Sequence, residues 1–432
     1  MLSFSNSQLI FFINLLILKA VTTYTYYELI ATSYNYYGFT SNIPDITLTA
    51  INWCFYLLAC IFLSSLVKVE CASNWIIVLL FSISYVPCLI LFEASSFPLL
   101  FFVQLHLYWF MLLIILVWYG LLNSPNVQTK IKKRHSPMNL GNTITLVLAL
   151  YICIIKFNYN GFYLHFDLWD VYDLRLAAYN KSLGPGAGYL ISWACLTFTI
   201  RGVYAASERN YLLVVILIFL NFIIFSIAGH KFYLFVLPLA IICSLFYRGG
   251  ILIWVPFIIS TLLVLAVLLD LLYGIDKLKF ILPFRNMFLP SLITGYFFDF
   301  FANNSPDFLA QSVLRRFGFV SDYAQPIPYL IDRVYGDGTA SANTGLSADA
   351  VSNFGLFGVI IYAFLFSFVL KLFDYATRYV QMKDTFGFVI FFAVVFLNQA
   401  FFTAMLSGGF LFMIFYIKYA EHTFVIRKNA TK

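Results

Sequence analysis

Charged side chains gather in the stretch 270–353, which lies largely outside the long apolar runs of this chain. Its arginines and aspartates include Arg285, Arg315, Arg316, Arg333, Asp299, Asp322, Asp332, Asp337 and Asp349. Only 10% of the residues are charged, so a cluster outside the apolar runs indicates binding or catalysis rather than simple solvation.

Three arginines of this stretch have the chemistry to bind a phosphate. A guanidinium group grips two phosphate oxygens at once, which a lysine cannot do. Arg285 lies in an aromatic segment, where the alternative is an arginine that reaches to lipid headgroups. Arg315 and Arg316 are adjacent and cannot point the same way on a helix, so at most one belongs to a site. Lys231, after a short joint, is a further cation or merely anchors its turn.

Two carboxylates of the stretch are candidates for a general base. Asp299 lies inside the aromatic segment 280–301, and Asp349 lies in the first turn of a helix predicted to begin near Leu346. Either carboxylate could orient an acceptor hydroxyl group and take its proton. For Asp349 the alternative is an acidic residue that complements the helix dipole, since free amides at a helix start attract negative charge.

A second polar segment, 158–187, joins charges to aromatic rings. It contains Asp167, Trp169, Asp170, Tyr172, Asp173 and Arg175. The aspartates form a solvated acidic face, recognise sugar hydroxyl groups beside stacking rings, or bind a metal. The metal is the least favoured reading because no histidine has a suitable spacing and none of the seven cysteines lies in the long 273–350 loop. We therefore expect no metal and no cofactor, and activity that survives chelation.

Composition decides the fold class. The chain has 432 residues, of which 62% are hydrophobic and 20% aromatic, and its charged share is well below the usual value of about 25%. This predicts one all-α polytopic membrane domain, 1–432, with about 12 transmembrane helices. The apolar runs fall near residues 9–29, 46–67, 74–92, 99–122, 142–157, 188–205, 211–228, 232–247, 251–272, 354–373, 386–402 and 403–419.

Basic residues predict the orientation of these spans. The joints and tail on the side of the termini carry Lys68, Lys130, Lys132, Lys133, Arg134, Arg209, Arg248, Lys371, Arg378, Lys383, Arg427, Lys428 and Lys432. The short joints opposite hold only Arg175, Lys181 and Lys231. Both termini should therefore be cytoplasmic, with the loops 158–187 and 273–350 outside. The net charge of +7 is explained by these basic residues, which set orientation in a membrane, and no nucleic-acid partner is expected.

The segment 280–301 should not cross the membrane. It contains eight aromatic residues interrupted by Pro283, Pro290 and Gly295. So aromatic a segment does not remain in water, and its prolines oppose a spanning helix. We expect it to lie at the interface or to dip into the bilayer and return, within an outer loop that carries short helices.

Four motifs of the chain carry a resemblance to a known family. They are GHK at 229–231, DVYDLR at 170–175, FRNMFLPSLITGYFFDFF at 284–301 and above all SANTGLSADAVSNFGLFGVIIY at 341–362. These motifs resemble the bacterial O-antigen and capsule repeat-unit polymerases, the Wzy-like proteins. The resemblance implies a fold like that of the GT-C glycosyltransferases in a bacterial cytoplasmic membrane. It implies transfer of a glycan from undecaprenyl pyrophosphate onto a second lipid-linked repeat unit, for O-antigen or capsule. A chain-length regulator would be a further partner.

The resemblance and the residues meet in one metal-independent mechanism. Arg285, Arg315 or Arg316, together with Arg175, would stabilise the pyrophosphate leaving group, and Asp349 or Asp299 would assist the acceptor. The sister O-antigen ligases usually have a histidine near the position of Leu346, and this chain has none there.

Other functions stay open. A flippase would place charges inside the spans, where Lys19 is the clear case, with Glu28 and Arg201 nearer the ends. A membrane acyltransferase would need a histidine such as His106 deep in the bundle.

Overall fold

The chain forms helices in a computed structural model, which describes residues 5–42, 45–95, 97–122, 140–161, 163–165, 186–338, 341–342, 344–378 and 380–420. No strand occurs in these ranges. The helices in chain order are α1 Asn6–Ser33, α2 Ile46–Leu66, α3 Ala72–Ala94, α4 Leu99–Leu122, α5 Leu140–Asn160, α6 Ala187–Ser207, α7 Tyr211–Ala228, α8 Lys231–Phe246, α9 Ile251–Tyr273, α10 277–303, α11 Ile327–Tyr335, α12 Leu346–Thr377, α13 Met382–Asn398 and α14 Phe401–Tyr419.

A helix covers each of the apolar runs predicted from sequence. Within the described ranges, nine helices are long and apolar enough to cross a bilayer, namely α1 to α5, α7, α9, α12 and α14. The helices of the other three predicted runs do not meet these criteria. Helix α8 has 16 residues and α13 has 17, while α6 is less apolar and carries Arg201. The chain is thus an all-helical, multi-pass membrane protein. The count of about 12 spans stays a prediction, as does the GT-C-like arrangement.

The helices form two compact units. The first contains residues 1–126, 249–371 and 393–402, and the second contains 127–248, 372–392 and 403–432. Each unit is therefore assembled from separate stretches of the chain. The prediction of one membrane domain did not anticipate this division, because hydropathy reports which segments are apolar but not which of them pack together.

In the first unit, α1 packs on α2 in an antiparallel arrangement. The Gln8 side chain donates to the Ser64 carbonyl at 2.9 Å, and the Tyr56 hydroxyl donates to the Leu15 carbonyl at 2.6 Å. The end where α1, α3 and α9 finish and α2 and α4 begin carries many tyrosines and phenylalanines. We call it the aromatic end.

Helix α10 lies against this end. It consists of consecutive helical segments of 3, 9 and 15 residues, and the middle segment, Phe280–Phe288, is a π-helix. The two prolines of this segment, which were predicted to oppose a spanning helix, lie inside the helix itself. Pro283 sits in the wide π-helical part and Pro290 in the first turn of the segment after it, where a missing N–H costs little.

Both halves of α10 contact the aromatic end. Near its start, Lys279 forms an ion pair with Asp270 at 2.7 Å. Near its other end, the Phe298 ring lies 5.1 Å from the Phe101 ring, edge to face. Between them, Ser291 donates to the Ser84 carbonyl at 3.4 Å, about halfway along α3. Both ends of α10 thus contact the aromatic end, and its middle contacts α3. Entry of this segment into the bilayer stays a prediction.

Helix α12 bends sharply near its start. Gly355 has φ 56° and ψ −136°, a conformation that is open almost only to glycine. The first nine residues therefore fold back on the rest, and the Asn353 amide donates to the Tyr362 hydroxyl at 3.3 Å. The result is a short buried arm, 346–354, followed by a long helix.

The second unit packs α6 against α7 and α8. Lys156 of α5 is fully buried and donates to the Ser226 carbonyl of α7 at 3.2 Å. Near the start of α13, Asp384 accepts a hydrogen bond from Ser207 at 2.8 Å. Short contacts between neighbouring helices thus satisfy some of the buried polar groups of this unit.

Candidate functional site

Arg285 is exposed on the π-helical part of α10. It forms no ion pair or hydrogen bond with any residue that the structure describes. Its positive charge acts to lower the pKa of Tyr37, in the joint between α1 and α2, so the two side chains are within electrostatic range of each other. An exposed, unpaired arginine on a helix packed into the bundle is available to bind an anion.

Asp299 lies on the same helix, 14 positions after Arg285, and is half-buried. Its Oδ2 atom accepts a hydrogen bond from the Tyr335 hydroxyl of α11 at 2.7 Å. No donor contacts its Oδ1 atom within the described residues. Burial raises the pKa of Tyr335, and the hydrogen bond to Asp299 and its charge raise it further. The phenol of Tyr335 therefore stays protonated and donates a hydrogen bond to the carboxylate.

A row of tyrosines connects Asp299 to the neighbourhood of Arg285. The Tyr335 ring stacks on the Tyr296 ring, with centroids 4.5 Å apart and planes 8° apart. The Tyr296 hydroxyl then donates to the Tyr37 carbonyl at 2.9 Å. We call these five residues, Arg285, Asp299, Tyr37, Tyr296 and Tyr335, the α10 site.

Asp349 lies apart from this surface, in the buried arm of α12. Its Oδ1 atom accepts from the Asn353 amide at 2.8 Å and its Oδ2 atom accepts from the Phe401 backbone N–H at 2.8 Å. The whole residue is only 7% exposed. Each oxygen thus accepts a hydrogen bond. The bond from Asn353 lies within the arm, and the bond from Phe401 fixes the arm to the start of α14.

The loop between α10 and α11 carries Arg315 and Arg316 on a 3₁₀-helix, Val313–Phe317. Arg315 is exposed. The loop is held by Asp307, a buried residue that accepts hydrogen bonds from the Gln311 backbone N–H at 2.8 Å and from the Ser321 hydroxyl.

The same loop is attached to the end of the α12 arm. The backbone N–H of Asp307 donates to the Ser352 carbonyl at 2.9 Å, and that of Phe308 donates to the Asn353 carbonyl at 3.0 Å. Because both bonds join main chains, they fix the path of the loop whatever its side chains are. The loop that presents Arg315 is thus tied to the arm that contains Asp349.

Two other cations, Lys231 and Arg175, were predicted to take part in the site. Lys231 begins α8 in the second unit and is half-buried, with an interaction partner of its own. Arg175 and the aspartates at 167, 170 and 173 lie outside the described residues. In the described ranges, no group of three or more histidine, cysteine or acidic residues is arranged to hold a metal ion.

Sequence reasoning missed Tyr37, Tyr335 and Asp307. The first two belong to aromatic, glycine-containing turns, YNYYG at 34–38 and VYGDG at 334–338, which are typical of exposed loops. That pattern signals a surface but not which surfaces meet. No sequence pattern marks Asp307, because its role depends on how the backbone of the loop between α10 and α11 folds.

A buried ion pair within the first unit was also only half anticipated. Lys19 of α1 lies 3.5 Å from Glu93 of α3, with both side chains almost inaccessible. The Asn52 amide of α2 donates to Glu93, and the Lys19 ammonium group lies over the Trp53 ring, 4.3 Å from its centroid. This Lys19–Glu93 pair joins three helices inside the bundle.

Chemically, the α10 site offers one cation, one carboxylate and several ring faces. Arg285 and Asp299 are separated by about 20 Å along the helix, so they suit different parts of one extended molecule. An anionic group at Arg285 and a hydroxyl-bearing group at Asp299 would satisfy both. Comparison of the chain with family models, with curated proteins and with solved structures found no match.

Proposed function

We propose that this protein is a membrane glycosyltransferase that polymerises oligosaccharide repeat units carried on undecaprenyl pyrophosphate. The observation that carries the proposal is the α10 site, where an unpaired Arg285 and a partly open Asp299 lie on one helix against the bundle. A lipid-linked sugar has a pyrophosphate at bilayer depth and hydroxyl groups further out, which matches that separation.

In the proposed step, the bond between the anomeric carbon of the donor glycan and the pyrophosphate oxygen breaks. A bond forms between that carbon and a hydroxyl oxygen of the acceptor repeat unit. Asp299 takes the hydroxyl proton through its open Oδ1 atom, and undecaprenyl pyrophosphate leaves with the electron pair. Arg285 lies about 20 Å along α10 from Asp299, which is too far for it to act on the same leaving group. It binds the acceptor's own pyrophosphate instead, and so holds the attacking hydroxyl group at Asp299.

Tyr335 has a positioning role in this scheme. Its hydroxyl holds Oδ2 of Asp299 at 2.7 Å, while its ring is held by the stack on Tyr296. The Oδ1 atom of Asp299 is therefore held in a fixed direction before the substrate binds, so the reaction does not have to order this carboxylate.

The proposal places this chemistry outside the cytoplasm, on the outer face of a bacterial cytoplasmic membrane, with both termini inside. The support for this is the excess of basic residues in the joints and tail on the side of the termini. Substrates that have already crossed the membrane would meet the site there, and a chain-length regulator would act on the same face.

The experiment is the pattern of surface glycan in cells that lack the protein. If the protein is a polymerase, these cells should carry a single repeat unit on the lipid anchor in place of a ladder of lengths. Expression of the full chain should restore the ladder. Loss of all surface glycan would instead indicate a flippase or a ligase.

One observation favours a second candidate, a transporter of the same lipid-linked oligosaccharide. The Lys19–Glu93 pair is buried among α1, α2 and α3, and ionisable groups inside a membrane commonly mark transport pathways. A flippase would require the pair for movement of the substrate, whereas a polymerase requires it only for folding.

A further inference from the structure

The joint between α1 and α2 presents two tyrosine rings at the aromatic end, and the proposed reaction uses neither ring. Tyr36 is 72% exposed and Tyr37 is 44% exposed. Their ring centroids are 4.6 Å apart, with planes inclined at 39°. At that distance the two rings lie against each other rather than side by side, and both are partly exposed outside the helices long enough to span a membrane.

The backbone beneath these rings is fixed by α10. The Tyr37 carbonyl accepts the hydrogen bond from Tyr296, and the next residue, Gly38, has φ +99°. A β-carbon at Gly38 would lie 2.2 Å from the Tyr296 hydroxyl oxygen, so only glycine lets the two segments approach.

The rings themselves are held from below by Phe284. Its ring stacks on Tyr34 with centroids 3.9 Å apart, and it lies 5.2 Å from the ring of Tyr37. Tyr34 in turn lies 6.3 Å from Tyr36. The exposed pair therefore rests on an ordered aromatic layer, and little conformational entropy remains to be lost when a ligand binds.

Charges of both signs lie beside the pair. Burial, followed by the neighbouring Tyr36 and Asp337, raises the pKa of Tyr37, while Arg285 acts to lower it. One acidic and one basic side chain are thus within electrostatic reach of the ring. A ligand that rests on the tyrosines would meet a hydrogen-bond acceptor and a donor at its edge.

We infer that Tyr36 and Tyr37 form a sugar-binding subsite, which stacks on one pyranose ring of the lipid-linked oligosaccharide. A pyranose has an apolar face of C–H groups and a rim of hydroxyl groups. The negative face of an aromatic ring attracts the former, and Arg285 and Asp337 hydrogen-bond the latter. The subsite rests on the proposed function for the identity of its sugar, and it assigns substrate binding to the joint between α1 and α2 as well as to the long loops.

The competing explanation is a membrane-interface tyrosine, which anchors a protein at the headgroups. Tyr273 at the end of α9 has that character. It is 73% exposed and has no ring neighbour among the described residues. An anchor needs neither a paired ring nor a rigid backbone, whereas a stacking subsite needs both. Tyr273 therefore supplies the matched control.

The test uses the full chain in lipid nanodiscs. The probe is the oligosaccharide that mild acid releases from the lipid-linked units of cells lacking this protein. Its affinity is measured by saturation-transfer NMR titration. Tyr36→Ala should weaken binding about three- to tenfold, the value of one aromatic contact. Tyr36→Phe, which keeps the ring, and Tyr273→Ala should bind like the wild type. Thermal unfolding checks that each variant is folded.

Two results would overturn the subsite. One is wild-type protein that does not bind the oligosaccharide, and the other is Tyr36→Ala binding as tightly as Tyr273→Ala. Neither result would contradict the polymerase proposal, which is tested by the glycan ladder. Conversely, Tyr36-dependent binding by a protein whose loss leaves the ladder intact would keep the subsite and reject the polymerase.

Discussion

At the scale of single residues, the structure separates two carboxylates that the sequence could not rank. Asp299 has one oxygen held by Tyr335 and one without a donor in the described residues. Asp349 has both oxygens occupied and is buried in the α12 arm. A general base must reach its substrate, so the geometry favours Asp299 for that role and Asp349 for holding the arm.

Asp349→Asn distinguishes the two roles. The amide can accept only one of the two hydrogen bonds, and its NH₂ group then faces a donor, which should cost about 1–3 kcal/mol of stability. We expect a lower unfolding temperature together with a loss of polymer in proportion to the loss of folded protein. A variant with wild-type stability and no polymer would instead make Asp349 the base.

Arg285→Lys tests the phosphate-binding role. The lysine keeps the charge but loses the forked pair of donors, so glycan polymer should fall about ten- to a hundredfold, as expected for 1.5–3 kcal/mol of charge-assisted binding. Glycan ladders measure this in cells with equal amounts of protein in the membrane. Arg333→Lys, an exposed arginine on α11, serves as the control. Normal ladders in Arg285→Lys would contradict the phosphate-binding role and leave contact with lipid headgroups as the role of Arg285.

At the scale of elements, sequence patterns predicted where helices form but not how they bend or pair. Each apolar run became a helix because a spanning segment must satisfy its own backbone hydrogen bonds. The fold-back at Gly355 and the π-helix around Pro283 depend on neighbouring segments. The Lys19–Glu93 pair shows the same limit, since Lys19 stood out as a mid-span charge while its partner on α3 did not.

The Lys19–Glu93 pair gives a prediction at this scale. Lys19→Met leaves Glu93 buried without its cation, which should destabilise the protein by about 3–5 kcal/mol. Lys19→Met combined with Glu93→Gln removes both charges and keeps an acceptor for Asn52, so most of the stability should return. Thermal unfolding in detergent measures both variants.

The glycan ladder of the double variant then decides between the two candidate functions. A stable double variant with a normal ladder supports the polymerase. A stable double variant that makes no surface glycan would support a transporter that needs the pair. A single Lys19→Met variant as stable as the wild type would contradict the role of the pair itself.

At the scale of the whole molecule, composition alone established a helical membrane protein, because so apolar a chain cannot fold in water. The division into two units was beyond sequence reasoning, since each unit combines distant stretches of the chain. Of the candidate site, Arg285 and Asp299 were found by residue type. The tyrosines between them were found only through contacts.

Orientation follows from the distribution of basic residues and can be tested directly. A reporter that is active only in the cytoplasm should work when fused after Lys432 and fail when fused after Ser305, in the loop between α10 and α11. Activity of the Ser305 fusion would place that loop in the cytoplasm and contradict an outer-face site.

Reconstitution of the purified protein tests the central claim most directly. Lipid-linked repeat units are supplied to the full chain in liposomes, with no other protein, and glycan length and free undecaprenyl pyrophosphate are measured together. The account predicts chains of several repeats, one lipid pyrophosphate released for each new linkage, and a strong decrease with Arg285→Lys. Movement of the lipid-linked unit across the bilayer without any new linkage would contradict it.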